Sequence, residues 1–452
     1  MNLERTPLLT DLYELTMLQT YYEHDMTGEA VFELFMRRTP RRGFFVAAGL
    51  QQALEWLEQL QFKPHELEWM QTCGFFSDAF VQRMANFRFT GHVSALPEGT
   101  VFFAEEPLVQ IVAPLPEAQF IESRLMNILH YQTLIASKAA RCQIAAGELP
   151  VIDFGMRRAH GGEAGTWAAR ACYIAGFSAT ATCLASARYD IPATGTMAHA
   201  FVLAHETETE AFERFARSHP NNVVLLIDTY DVERGARRVV ELAKRLQPEG
   251  IEVQGVRIDS GDLVANATLT REILDAGGLT ATRILVSGGL DENRIADLVA
   301  AGAPIDGVGV GSSVDTSADV PFLDSAYKLH QYQGKPRGKH AEGKTDLPGR
   351  KQIVRQFDAG GQLHRDVLCL ANESVDGTPL LKPVMDEGQR LSGMENDQAA
   401  ARQRCAQSLA RLPASLRKLD DPGDHPVTLS EGLVGLRETL IARYRADNPS
   451  DN

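Results

Sequence analysis

The sequence predicts an α/β protein in which an irregular TIM-like (β/α) barrel is combined with an open-faced α+β sandwich domain and a C-terminal extension of helices and strands. Three observations carry this. Between Val151 and Val310, short apolar segments alternate with helical ones at the spacing of βα units around a parallel sheet. Phe87 to Pro114 is rich in β-formers and turn residues, as an open sheet would be. A chain of 452 residues also exceeds one typical domain. The expected division is residues 1–146 for the sandwich with a linking helix, 147–326 for the barrel, and 327–452 for the segment that completes the sandwich and adds helices.

Leu8 to Tyr22 reads as a helix capped by Thr10, with Leu12, Leu15, Met17 and Leu18 as an imperfect apolar face. In Ala30 to Arg37, Val31, Glu33, Phe35 and Arg37 alternate with Phe32, Leu34 and Met36, the pattern of a half-buried strand. Ala47 to Leu60 is a helix with a Leu50, Leu54, Leu57 stripe. Val101 to Ala104 and Leu108 to Val112 are expected to form a hairpin around Glu105-Glu106-Pro107. Glu117 to Ala146 is helical and free of Pro and Gly.

The barrel strands are expected at Val151–Phe154, Val223–Ile227, Gly255–Ile258, Arg283–Val286 and Gly307–Val310. Helices are expected at Trp167–Ala175, Thr182–Arg188, Gly235–Leu246, Ala265–Ala276 and Glu292–Ala301. After the Gly- and Lys-rich Lys335–Lys351 come strands at Gln352–Phe357 and Val367–Leu370. Helices at Ala399–Leu412 and Ser430–Arg445 are expected to pack on the sandwich, and the tail Ala446–Asn452 to fray.

The composition, 44% hydrophobic and 23% charged, is that of a soluble globular chain. A formal net charge of −14 argues against a nucleic-acid partner. The six cysteines include no Cys-x-x-Cys pair and no His at zinc spacing, which points to a reducing, cytoplasmic compartment. Cys172 and Cys183 read as small packed hydrophobes. Met1–Thr10 lacks a basic n-region followed by an apolar run, and no segment reaches ~18 uninterrupted apolar residues, so no membrane partner is expected.

Five segments concentrate chemistry at expected strand ends: Asp153–Gly161, Gly195–Ala200, Arg257–Asp262, Val286–Asp291 and Gly307–Ser313. Active sites of barrels lie at that end. In Gly195-Thr196-Met197-Ala198-His199, Thr196 offers a hydroxyl and His199 a base, metal ligand or nucleophile, against the alternative of a satisfied buried histidine. Arg257 is suited to a bidentate grip on a carboxylate or phosphate, and Asp259 and Asp262 to a sugar diol or Mg²⁺. The plain alternative is a strand-end turn with a salt bridge. Ser287-Gly288-Gly289 and Gly309-Val310-Gly311-Ser312 are neither Walker A nor a dinucleotide fingerprint, but as a pair on successive units they suit a phosphate. Phe154 can stack on a flat ring while Arg157 or Arg158 meets a diphosphate, unless these arginines are a solvated loop. Arg37, Arg38, Arg41 and Arg42 read as a solvated turn, with a phosphate role as the alternative.

With Thr10-Asp11-Leu12-Tyr13-Glu14, Phe32-Glu33-Leu34-Phe35, Ala48-Gly49-Leu50 and Leu347-Pro348-Gly349-Arg350-Lys351, these segments resemble the nicotinate phosphoribosyltransferases, from the N-terminus to about Arg355. The resemblance implies transfer of the phosphoribosyl group of phosphoribosyl pyrophosphate (PRPP) to nicotinate, with Mg²⁺ as cofactor and ATP as co-substrate. It implies that His199 is transiently phosphorylated, that Asp259 contacts ribose or metal, and that Thr196 and Arg257 contact nicotinate. It implies that Phe154 and Tyr13 sandwich the pyridine, with Tyr13 supplied across a homodimer interface. Arg157, Ser287, Gly288, Gly289, Gly309, Gly311 and Ser312 are implied as phosphate contacts. Ala181 stands where the related nicotinamide enzymes resemble it but carry an Asp, so a carboxylate that would repel nicotinate is absent. The alternatives are a nicotinamide or quinolinate enzyme and, outside catalysis, a silent barrel acting as a binding subunit.

Overall fold

Val256, Ile258, Ile284, Val286, Val308 and Val310 are buried in short runs broken only by the half-buried Arg257 and Leu285. They belong to a six-stranded parallel sheet, a half-barrel. Its order is Ala179–Thr180, Val151–Asp153, Gly307–Val310, Arg283–Val286, Gly255–Ile258, Val224–Leu226. This computed structural model describes residues 5–341, 344–393 and 397–447. The chain divides into two compact units, one of Met1–Ser137 with Phe322–Asn452, the other of Lys138–Pro321.

In the second unit, Val232–Leu246, Leu263–Ala276 and Glu292–Ala300 follow successive strands as helices. Each begins in the same way: Asp231, Asp262 and Asp291 accept the backbone N–H of Arg234, Ala265 and Arg294. These caps satisfy donors that the first helical turn leaves without a partner. The helix Glu208–Ser218, for which the sequence reading made no provision, starts on Thr207 and buries Ala211, Phe212, Phe215 and Ala216.

Two expectations fail here. Gly195–His199 does not end a strand. It follows an isolated bridge between Thr180 and Ala193 and runs as coil into the short helix His199–Leu203, because Pro192 has no N–H to extend a ladder. Cys183 is exposed, whereas Cys172 is buried as expected. Cys183 opens the helix Cys183–Tyr189, whose buried face is carried by Ala185 and Tyr189 against Ala169 and Ile191.

The first unit is built on a seven-stranded sheet, in the order Lys335–Pro336, Ser325–Tyr332, Glu29–Met36, Pro107–Pro114, His92–Ala95, Lys382–Asp386, Gln389–Arg390. Glu29–Met36 is an interior strand, paired with Ser325–Tyr332 along one edge and Pro107–Pro114 along the other, and its residues from Ala30 to Met36 are buried on both faces rather than half-buried. The expected hairpin around Glu105-Glu106-Pro107 does not form. Val101–Phe102 pairs instead with Phe45–Val46. Glu105 has a left-handed φ of 66° and the Glu106 carboxylate accepts the N–H of Phe103, so the chain is turned into a different sheet. The predicted linking helix is broken at Ile121 into Leu115–Phe120 and Glu122–Ala146.

Lys351–Phe357 and Leu363–Leu370 form a four-stranded sheet with Thr378–Pro379 and Val427–Leu429, and the helices Gln398–Ala410 and Glu431–Asp447 follow. Helix Gln398–Ala410 buries Ala401, Cys405 and Leu409, and Arg404 donates to the Glu98 carbonyl. In the arginine cluster Arg38 and Arg41 are exposed and Arg37 half-exposed, as a solvated turn would have them, with surface pairs from Arg37 to Asp324 at 3.0 Å and from Arg38 to Asp424 at 2.9 Å; Arg42 departs from that reading and is buried. Glu342 and Gly343 of the Gly- and Lys-rich segment, and Asn448–Asn452 of the tail expected to fray, lie outside the described residues. No described helix is long and apolar enough to cross a membrane.

The central strand carries a buried charge. Glu33 accepts from the Lys351 ammonium at 2.8 Å and from Gln110 at 2.7 Å, with both ionic side chains almost inaccessible. His330 lies 3.6 Å away, and burial beside Lys351 and Lys328 drives its pKa well down, so it stays neutral. Replacing Lys351 with Ala strands the Glu33 carboxylate in the core and is expected to cost roughly 3–5 kcal/mol. A urea unfolding midpoint equal to that of the parent protein would contradict this.

Candidate active site

Five of the parallel strands end on one cavity of about 570 Å³. It is lined by Phe154, Arg157, Thr196, His199, Arg257, Asp259, Ser287, Gly288, Gly289, Gly309, Gly311 and Ser312, so twelve of the site residues expected from the sequence are brought together. Arg158, Ala181 and Met197 line it too. Two glycines show how closely it is built. A Cβ on Gly309 would stand 2.4 Å from the Phe154 ring, which lies across that position. Gly288 has a φ of 96°, and a Cβ there would be 1.9 Å from the Asp259 carbonyl oxygen.

Arg257 is fixed by two bonds, Nη1 to the Thr196 hydroxyl at 3.0 Å and Nη2 to the Met197 carbonyl at 3.1 Å. Its guanidinium carbon is 5.9 Å from the centre of the Phe154 ring. Its Nε is buried and has no hydrogen-bond partner among the described residues. Burial pulls the Arg257 pKa down, Asp259 and Asp228 push it up, and Arg157 lowers it again. The guanidinium stays charged in any case. A desolvated cation with an uncommitted donor beside an aromatic face suits a planar ligand that carries an anion.

The carboxylates around it are held by their neighbours. The Asp259 carboxylate accepts a short hydrogen bond from the Ser287 hydroxyl. Asp228 accepts from the Asp259 N–H at 2.9 Å and the Ser260 hydroxyl at 2.6 Å. The His199 Nδ1 is 3.1 Å from the Thr229 hydroxyl, which leaves Nε2 for other chemistry. Sequence reasoning missed Asp228 and Thr229 as site residues, although they lie just past the strand Val224–Leu226, after Ile227, and could have been found by that position. Asp262 does not line the cavity, because its carboxylate is used as the helix cap on Ala265. Among the described residues no group of three or more His, Cys, Asp or Glu is placed to hold a metal ion.

Beneath the cavity lies a second feature that the sequence did not disclose. Asp153 accepts from the Gly155 N–H at 2.8 Å and the Thr180 hydroxyl at 2.6 Å. It is also hydrogen-bonded to the carboxyl of Asp315, in the turn after Gly311-Ser312. Burial and the charge of Asp153 drive the Asp315 pKa well up, which favours its neutral form. This carboxyl pair brings together the segment carrying Phe154 and the segment carrying Ser312.

Tyr13 belongs to the other compact unit, where it is half exposed and donates to Glu122 at 3.2 Å. With Asp11, Glu122, Asn127, His130 and Phe322 it lines a separate, shallow pocket. Behind it Glu14 is fully buried, and Gln119 donates to both Glu14 and Glu122. Burial and the Glu122 charge raise the Glu14 pKa to about 7.

Three family models match along the chain: the nicotinate phosphoribosyltransferase N-terminal domain over residues 8–130, the family itself over 149–308, and its C-terminal domain over 374–437. A nicotinate phosphoribosyltransferase of Mycobacterium tuberculosis, pncB2, is 47% identical over 95% of this chain and 92% of its own length. The chain belongs to the nicotinate phosphoribosyltransferase family. It is a phosphoribosyltransferase. The Bacillus subtilis family member is 38% identical over 83% of this chain and 78% of its own. The crystal structure of human nicotinic acid phosphoribosyltransferase superposes with a TM-score of 0.85 at 28% identity, covering 96% of this chain and 99% of that one. A Pyrococcus furiosus nicotinate-nucleotide pyrophosphorylase shares the fold, with a TM-score of 0.72 at 24% identity over 89% of this chain and 94% of that one.

Two predictions follow from these groups. Asp315→Asn keeps a donor for Asp153 and is expected to retain kcat/KM within about three-fold, while Asp315→Leu removes it and loses about ten-fold or more. Equal rates for Asn and Leu would refute a role for the contact between the two carboxyl groups. Because the folded pKa of Glu14 is raised, its stabilising effect is complete below about 4.5 and is lost as pH rises to about 7. Glu14→Gln should therefore flatten the dependence of Tm on pH over that window and raise Tm at pH 8 by roughly 2–4 °C. A Tm at pH 8 below the parent value would contradict it.

Proposed function

We propose that the chain joins nicotinate to the ribose of PRPP, forming nicotinate mononucleotide and pyrophosphate in NAD biosynthesis, and that ATP hydrolysis is coupled to the transfer through His199. The observation that carries this reading is Arg257, buried beside the Phe154 face with Thr196 bonded to it and its Nε uncommitted. Nicotinate is a flat ring bearing a carboxylate, and this group of residues offers both a stacking face and a cation. Ala181 lines the cavity and adds no negative charge to oppose the carboxylate, which disfavours an amide-selective site. Quinolinate would bring a second carboxylate and call for more positive charge.

Ser287, Gly288, Gly289, Gly309, Gly311 and Ser312 supply hydroxyls and turned backbone suited to the 5′-phosphate of PRPP. Arg157 is favoured over Arg158 for the diphosphate, since its charge acts on Arg257 and therefore sits with the anion-binding groups. With these groups in place, the ring nitrogen attacks the anomeric carbon as the bond to pyrophosphate breaks, through an oxocarbenium-like state. No acid–base pair is required, and positioning and charge stabilisation do the work.

Asp259 is the carboxylate in the cavity, and one carboxylate fits a Mg²⁺ that arrives with diphosphate oxygens better than a resident metal. The ion would neutralise the departing pyrophosphate. His199, steadied by Thr229, has Nε2 available to take the γ-phosphoryl group of ATP as ADP leaves, and water then releases phosphate. Tyr13, half exposed on its own unit, would complete the pyridine site of a second copy in a homodimer. The half-barrel supports an irregular TIM-like barrel as the family architecture, and a cytoplasmic enzyme is the corresponding location.

The test is pyrophosphate release from PRPP and Mg²⁺ with nicotinate, nicotinamide or quinolinate, each with and without ATP. Turnover with nicotinate, stimulated by ATP, is expected. In His199→Ala the stimulation and the labelling of protein by γ-³²P-ATP should vanish while slow transfer remains. Turnover with nicotinamide instead would overturn the Ala181 argument, and labelled His199→Ala would overturn the phosphohistidine. No release with any base would promote the binding-subunit reading.

A further inference from the structure

The two loops read above as a phosphate cradle, Ser287–Asp291 and Gly311–Ser313, are joined directly where the Ser313 hydroxyl donates to the Leu290 carbonyl at 2.5 Å. Each is also followed closely by an acidic residue. Glu292 opens the helix Glu292–Ala300 immediately after the first loop. Asp319 comes shortly after the helix Ser312–Asp315 of the second loop, past a turn in which Ser317 takes a φ of 42° and donates to the Val320 carbonyl at 2.6 Å. Both carboxylates meet one ammonium. Lys138 Nζ forms a short ion pair with Glu292 Oε2 and lies 2.7 Å from Asp319 Oδ1. Arg141, one turn further along the helix Glu122–Ala146, holds the other Glu292 oxygen at 2.9 Å.

The burial makes this arrangement demanding. The side chains of Lys138 and Glu292 are 2% and 1% exposed, while that of Asp319 is 21% exposed. Burial would raise the Glu292 pKa, but Lys138 and Arg141 hold it below the ordinary carboxylate range, so the network is ionic. A buried ammonium is retained only where its partners are well placed, and an apolar contact could have filled the same space without its directionality. What the ion adds is geometry. A single nitrogen with short contacts to two carboxylates sets the distance between the segments that carry them.

We propose that Lys138 is a positioning residue for the phosphoribosyl donor, its ammonium bridging Glu292 and Asp319 so that the Ser287–Asp291 and Gly311–Ser313 loops stand at the spacing one phosphate group needs. The proposal rests on the cradle reading of those loops. Lys138 does not line the cavity and touches no reacting atom. Its effect passes through the loops, and the nicotinate site around Arg257 is built from other bonds.

The test is steady-state kinetics on full-length variants, with PRPP and nicotinate varied separately. Asp319→Asn removes one leg of the bridge at its most exposed point and leaves the buried pair intact. It should raise the PRPP KM about 10-fold and move the nicotinate KM by less than about two-fold. Lys138→Met should act in the same direction, by about 100-fold, and Lys138→Arg should recover most of the loss. Arg141→Met removes a Glu292 contact without cutting the bridge and should leave the PRPP KM within about two-fold. A merely structural role would shift both KM values or neither, and would make Arg141→Met as harmful as Asp319→Asn; either result overturns the proposal. Gly311→Val separates the two readings. If it leaves the PRPP KM unchanged, the cradle falls and the bridge falls with it. If it raises the PRPP KM while Asp319→Asn does not, only the bridge falls.

Discussion

The site depends on carboxylates that hold the backbone and hydroxyl groups where parallel strands end. A parallel sheet buried on both faces leaves N–H groups to be satisfied at each strand-to-helix turn. Asp153 serves Gly155, Asp228 serves Asp259, and Asp231, Asp262 and Asp291 serve the helix starts. These bonds fix the loops that carry Phe154, Asp259 and the glycine turns, so the cavity is shaped before any ligand enters. Where binding is preorganised in this way, less of its free energy is lost to ordering the protein.

A site proposed to bind anions, yet built on so many acidic residues, needs its charges separated. The structure does this by committing them. Asp262 is spent on a helix cap, Asp228 on a backbone N–H and a hydroxyl, and Asp315 is buried against Asp153, where its pKa is driven well up. Asp259 remains as a carboxylate lining the cavity, beside the cations Arg157, Arg158 and Arg257. The chain as a whole carries a formal charge of −14, yet the cavity is locally cationic. Net charge bears on solubility and encounter, whereas recognition is set by the few groups within reach of the ligand.

Most of the half-barrel was legible from the chain itself. Gly255–Ile258, Arg283–Val286 and Gly307–Val310 occur where the apolar runs predicted them, because short runs bounded by glycine and aspartate have few other ways to be buried. The expectations that failed were decided by pairing. Val101–Phe102 went to Phe45–Val46 instead of its sequence neighbour, and Glu29–Met36 became an interior strand with both edges paired and both faces buried. Local pattern cannot report which distant strand will lie alongside. Cys183 was misjudged for a related reason, since its neighbours decide which face of a two-turn helix is covered.

In the site, the division is between residue type and partner. Local sequence was sufficient to nominate His199, Arg257, Phe154, Asp259 and the two glycine loops, because strand ends, turn residues and charged side chains are local features. The assignments of Thr229 to His199, of Asp228 to Asp259, of Asp315 to Asp153 and of Lys138 to both Glu292 and Asp319 came only from the tertiary structure. Lys138 and Glu292 are 154 residues apart in the chain. A hydrogen bond or ion pair acts over about 3 Å, so its existence is decided by how the sheet and helices bring distant residues together. The sequence alone determined which chemistry the chain carries; the fold decided which of those groups are free to meet a ligand and which are spent on holding the others.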